Sequence, residues 1–310
     1  MLPRWPKLIT ARLRRTALTK RAWIEVAYGI ELAMATTWDK RDSGRADYAS
    51  ARKLLEEVLE ARRRLLGEEH PDTLAVTNDL AGTLHEQGDL AGARKLEELV
   101  LSTRRCLLGE EHPDTLSAMS NLAATTGAQG DRAGARKLQE QVLEARRHLL
   151  GEEHPDTLAG TNNLAGTLYA QGDLAGARKL QEQALAGCLR VLGEEHPDTL
   201  KTVSNLAATL YTRGDLAGAR KLQELVLSTR RPLLGEEHPD TLWAMSNLAG
   251  TLYAQGDLAG SRKLQEQALE ARRRLLGEEH PDTLSAKNNL ARMKPKTLRH
   301  WLELLFGQKQ

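Results

Sequence analysis

The octapeptide GEEHPDTL begins at Gly67 and again at Gly109, Gly151, Gly193, Gly235 and Gly277, each copy 42 residues after the last. A fixed period of this length overrides the reading of 310 residues as two globular domains. It marks one supersecondary unit that cannot bury its apolar side alone and stacks on its neighbours to do so. The octapeptide also packs two glutamates, a histidine and an aspartate into six residues, so it is either a ligand cluster or a joint.

The unit between two octapeptides decides which. In PDTLAGTNNLAGTLYAQ, Leu158, Thr161, Leu164, Ala165 and Leu168 recur at steps of three and four, the spacing of an amphipathic helix. Gly172 ends that helix and Asp173 caps the next. The second segment, LAGARKLQEQALAGCLRVL, carries the stripe Ala177, Leu180, Ala184, Leu185, Cys188, Val191 and Leu192. The unit is two antiparallel helices joined by a tight turn. The octapeptide then reads as stop, turn and start. Gly67 and its copies end a helix. Pro71 and its copies fit a first helical turn, where a missing N–H costs nothing. Asp72 meets the positive end of one helix, and Arg62, Arg63 and Arg64 the negative end of the helix before it. A metal site from Glu68, Glu69, His70 and Asp72 is disfavoured, because proline and helix geometry send these side chains in different directions. No metal or other cofactor is expected.

Charge narrows the function classes. Lys and Arg number 44 against 42 Asp and Glu, so no global field points to nucleic acid or membrane. The balance is local: residues 1–24 hold seven basic residues and no acid, which leaves the rest acidic by about five charges. Cys106 and Cys188 fall at different places in different repeats, so no disulfide is expected and a reducing compartment is the default. The most apolar window, Trp23 to Trp38, is interrupted by Glu25 and Glu31, so no membrane span is expected. There is no glycine-rich phosphate loop and no isolated nucleophile with partners, so the chain is not expected to be an enzyme.

NNLAGTLYAQGDLAGARKLQEQAL at 162–185 resembles a tetratricopeptide repeat, with Ala165, Gly172, Ala177 and Ala184 at that family's packing positions. The 42-residue period and the LGEEHPDTL…NNLA phrasing are similar to the kinesin-light-chain type. The resemblance covers about residues 45–292, with complete units from Pro71, Pro113, Pro155, Pro197 and Pro239. It implies an all-α, right-handed superhelical solenoid of antiparallel helix pairs. Where the family usually has an aromatic after Leu180, this chain has Gln181, and likewise Gln139, Gln223 and Gln265. Segment 100–123 also recurs almost unchanged at 226–249, as if three repeats had been copied together.

The resemblance further implies a protein-interaction scaffold whose first helices line a concave groove for a peptide or partner protein. Carried over residue by residue, the groove positions are Ala159, Asn162, Asn163, Gly166 and Tyr169. Asn163 recurs as Asn121, Asn205, Asn247 and Asn289, with Asp79 in the first unit. A carboxamide offers both donor and acceptor, so such a row can satisfy an extended backbone, or can tie neighbouring helices together. Tyr169, Tyr211 and Tyr253 stand one turn further on. Lys201 and Trp243 replace Ala159; an exposed tryptophan is a candidate hot spot, or equally packs on the preceding repeat. The alternative is nucleic-acid or anionic-surface binding through arginines placed on the outer side of the second helices, at 61–64, 145–148 and 271–274. Each run is followed by GEE, which neutralises it, so nucleic acid is the weaker expectation.

Three domains are expected: a basic arm and degenerate first helix at 1–44, the array at 45–294, and a C-terminal capping helix and tail at 295–310, with Leu298, Trp301, Leu302 and Leu305 on one side. The localisation expected is cytoplasmic, or an organelle if residues 1–24 serve as a transit peptide. The unit from Pro113 should be the weakest, because Thr126 and Gly127 stand where Leu168 and Tyr169 stand in the next.

Overall fold

The computed structural model describes residues 48–292, and among them every element is an α-helix, twelve in all, with no strand. The arm at 1–44 and the segment 295–310 lie outside the described residues. The helices fall into two compact units that divide at Leu107 and Leu108.

The first unit holds α1 (Tyr48–Leu66), α2 (Pro71–Glu86) and α3 (Leu90–Leu108). Leu55, Val58 and Leu59 of α1 meet Val76, Leu80 and Leu84 of α2 and Ala93 of α3 in one core. The second unit holds α4 (Pro113–Ala128), α5 (Arg132–Leu150), α6 (Pro155–Gln171), α7 (Leu174–Val191), α8 (Pro197–Thr212), α9 (Leu216–Leu234), α10 (Pro239–Ala254), α11 (Leu258–Leu276) and α12 (Pro281–Arg292). Here α4–α5, α6–α7, α8–α9 and α10–α11 are hairpins, and each second helix also packs against the first helix of the next hairpin. Stacking of this kind buries a continuous core from pieces that contact only their neighbours. In the largest buried cluster, Val226 and Leu227 of α9 meet Leu242, Met245 and Leu248 of α10 and Ala268 of α11.

The turns follow from the chain's own chemistry. Gly172 takes φ 87 at the end of α6, a left-handed conformation that L side chains rarely adopt. Asp173 then turns back, its Oδ1 accepting from the Gly176 N–H at 2.8 Å. Asp89, Asp131, Asp215 and Asp257 do the same for α3, α5, α9 and α11.

The octapeptide is a joint, as its sequence implies, with one residue in an unforeseen role. His154 is the N-cap of α6, and its Nδ1 accepts from the Asp156 N–H at 3.2 Å. His70, His112, His196, His238 and His280 make the same contact at 3.1–3.2 Å. The histidine thus satisfies an N–H that the following proline turn leaves open. Among the described residues no three His, Cys, Asp or Glu side chains converge in a way that would hold a metal. No described helix is long and apolar enough to cross a membrane.

The second-helix stripe needs two amendments. Val191 is exposed, because α7 ends there, whereas Gln181 is almost fully buried. Gln265 and Gln223 are buried as well, and Glu97 takes their place in α3. The position that usually carries an aromatic thus stays inside when it is polar, held there by the helical period.

Candidate functional site

The first helices α6 and α8 touch directly, side by side along one face of the second unit. Two polar contacts cross between them. Asn205 Nδ2 donates to Asn162 Oδ1 at 3.3 Å, and the Tyr169 and Thr212 hydroxyls lie 2.8 Å apart. Asn162, at 5% exposure, is tied into the array, and Asn205 is half-buried beside it. The asparagine row is therefore divided: this pair joins neighbouring repeats, while Asn163 and Asn121 are exposed and Asn247 and Asn289 half-buried. Tyr169, Tyr211 and Tyr253 are all exposed on the same helices.

Lys201 and Trp243 lie at matching positions of α8 and α10, both exposed, Trp243 at 48%. They line a cleft of about 990 Å³ with Asn205, Arg230, Leu234 and Arg272. Ser120, Asn162, Asn163 and again Asn205 line a second, smaller cavity of about 250 Å³. Asn205 thus stands at the junction of the two.

The first arginine of each run turns inward, not outward as the sequence reading placed it, while Arg64 and Arg274 stay exposed. Arg62, Arg146 and Arg230 point across the joint, each donating through Nη1 to the carbonyl of the aspartate ten residues on, Asp72, Asp156 and Asp240. Arg272 donates instead to Ser246 Oγ at 3.0 Å and to the Leu242 carbonyl at 3.3 Å. Partial burial lowers the pKa of all four, although an arginine stays charged in any case. The physical reason is helical phase: these positions align with Cys188, which is buried in the apolar stripe. Burial raises the pKa of the Cys188 thiol. At that joint the Thr202 hydroxyl supplies the donor to the Asp198 carbonyl, at 2.8 Å. The next arginine of each run behaves differently. Arg147, Arg231 and Arg273 face Glu152, Glu236 and Glu278 at 3.0–3.3 Å. On the exposed side, Arg136, Arg178, Arg220 and Arg262 pair with the glutamate four residues on at 2.7 Å. Each of these arginines thus has a carboxylate beside it, and such exposed pairs contribute little to stability.

Arg230 and Arg272 are thus cleft residues that sequence reasoning missed. The signal was present: an arginine recurring in register with a cysteine of the apolar stripe is an arginine on the inward side.

Stacked helix pairs with an exposed first-helix face define a helical repeat scaffold. Tetratricopeptide-repeat models match residues 44–105, 156–229 and 198–259, and a second such model matches 115–156 and 241–282. The chain belongs to the tetratricopeptide repeat family, and its repeats are of the kinesin-light-chain-like kind. A Podosopora anserina protein with nearly identical TPR-like repeats, named after the kinesin light chain it resembles, is 31% identical, over 66% of this chain and 97% of its own, with a TM-score of 0.57. BtubC (BKLC) from P. vanneervenii is 22% identical over 74% of this chain and 93% of its own, at TM-score 0.62. The apo quorum sensor NprR from B. thuringiensis is 15% identical over 97% of this chain and 78% of its own, at TM-score 0.65. These last two likenesses are of fold alone. No curated protein matches the chain.

Proposed function

We propose that the first-helix face of α6, α8 and α10 binds an extended peptide segment of a partner protein. Tetratricopeptide repeat proteins in general act as interaction scaffolds, and one observation carries the reading here. The repeats are near-copies at their joints, yet Lys201 and Trp243 depart from the small residues Ala75, Ser117 and Ala159 found at the same place in other repeats. Both are exposed on the rim of the 990 Å³ cleft. At 48% exposure, about half of the Trp243 side chain stays open to the cleft and free to meet an occupant. In a cleft it offers large apolar area at little entropic cost, as binding anchors do. Lys201, Arg230 and Arg272 supply donors to carbonyl or carboxylate groups of the occupant. Asn163 and Asn247 present carboxamides to its backbone.

The test uses a peptide selected from a displayed random library on the whole chain. Hydrogen exchange of the complex should show new protection along Lys201–Thr209 and Trp243–Thr251. Protection confined to the outward side of α9 and α11 would overturn the reading.

A further inference from the structure

The smaller cavity differs in kind from the cleft beside it. Its polar lining is Ser120, Gln139, Asn162, Asn163, Thr167 and Asn205, none of them charged. Several of these groups have fixed duties. Ser120 Oγ donates to the Leu116 carbonyl at 2.9 Å, so inside the cavity it can only accept. Asn162 Oδ1 is taken by Asn205. Gln139 Oε1 is buried and accepts no hydrogen bond from the described residues. The remaining wall is Gly160, Gly166, Ala124 and one larger apolar residue, Val142. A Cβ added at Gly166 would meet nothing within 4 Å, so packing does not demand a glycine there. The glycine leaves room.

We infer that this cavity is a subsite for a neutral carboxamide side chain, asparagine or glutamine, of the peptide that the first-helix face binds; the inference rests on that proposed reading. The volume, about 250 Å³, has room for a side chain of this size. The lining offers donors and acceptors together, from Asn163, Asn205 and Gln139, which a carboxamide matches with its own two donors and one carbonyl. A carboxylate or an ammonium would enter without a counter-charge among the lining residues and lose its water. An aliphatic side chain would strand the amides of the wall. Because Asn205 borders both cavities, the amide and the group held at Trp243 belong to one continuous peptide.

The experiment selects peptides from a displayed library of random twelve-residue sequences, on the whole chain and on Gly166→Leu. Sequences bound by the unaltered chain should carry Asn or Gln at one fixed position. That preference should vanish on Gly166→Leu and weaken on Gly166→Ala, which adds only a methyl group into open space and so guards against a folding defect. For one selected peptide, changing that residue to Asp or Lys should weaken binding at least about tenfold, the cost of a charge desolvated without a partner. Peptides that bind with no amide preference, or whose preference survives Gly166→Leu, would overturn this inference alone. If no peptide is selected, the proposed function falls and this inference with it.

Discussion

The repeats that begin at Pro113 and Pro239 are nearly the same text. Over the nineteen residues to Asp131 and Asp257 they differ at four places: Ser117 against Trp243, Ala124 against Gly250, Thr126 against Leu252, and Gly127 against Tyr253. Their first helices, α4 and α10, are each sixteen residues long. Their turns bond alike. Gln129, Gly130 and Asp131 donate to the carbonyls of Thr125, Gly127 and Thr126 at 3.0–3.1 Å, and Gln255, Gly256 and Asp257 to those of Thr251, Tyr253 and Leu252 at 2.9–3.0 Å. Thr126 is as buried as Leu252, at 3% and 5%. Replacing a core leucine and an exposed tyrosine has therefore left the hydrogen bonding of the turn unchanged. The caps fix the geometry. The four substituted side chains decide two other things, how firmly the repeat is held and what its face presents.

The largest expected effect comes from writing the first repeat into the second. Leu252→Thr with Tyr253→Gly should destabilise that hairpin by about 3 kcal/mol, combining a truncated buried leucine with an interior glycine. In the unaltered chain the same difference should appear as faster amide exchange over Asn121–Gln129 than over Asn247–Gln255. Equal protection of the two segments would show that Thr126 and Gly127 are compensated by their surroundings. Gly127 is a candidate place for that, since a Cβ there would lie 3.4 Å from Ala135 Cβ, so α4 already runs close to α5 at that point.

A middle-sized effect sharpens the comparison from the other side. If caps set the geometry of both repeats, removing one should cost the same in each. Asp131→Ala and Asp257→Ala should each lose about 1 kcal/mol, as should His112→Ala and His238→Ala. Urea unfolding of the four variants checks this. Losses that differ widely between the two repeats would mean that the side chains at 126 and 127 share in fixing the turn.

This division explains what could be read in advance. Period, helix pairing, the glycine stops, the aspartate caps and the first-helix stripe were all legible, because each depends on residues within one turn of one another. Leu158, Thr161, Leu164, Ala165 and Leu168 are all buried as their spacing requires. The site was less legible, because it depends on neighbours one repeat away. Nothing within a single repeat shows that Asn205 reaches Asn162, or that the Tyr169 hydroxyl reaches that of Thr212. The histidine caps were hidden by their own chemistry, since Nδ1 acts as the acceptor where a serine or aspartate is looked for. The first arginine of each run was misplaced because charge was given more weight than phase.

The smallest effect concerns Asp79, which occupies the place of Asn121 and Asn247 in the first unit. Its side chain is exposed, yet the protein around the carboxyl still raises its pKa, with Arg62 and Arg104 opposing. A carboxylate with a raised folded pKa opposes folding when ionised, and that opposition disappears as pH falls through its folded pKa. Asp79→Asn should therefore stabilise the chain slightly at neutral pH, by about 0.5 kcal/mol or less at so exposed a site. The gain should fade in acid. A loss of stability at neutral pH would show that the pairing with Arg62 and Arg104 outweighs desolvation.

The central claim is that the joints hold the array while the first-helix face binds. Its most direct test is the double variant Lys201→Ala, Trp243→Ala, measured for thermal melting and for affinity toward a library-selected peptide. Both side chains are exposed, so the Tm should not move, while affinity should fall at least about tenfold with the loss of an aromatic anchor and its neighbouring charge. Unchanged affinity, or a lowered Tm with binding intact in the folded fraction, would contradict the account.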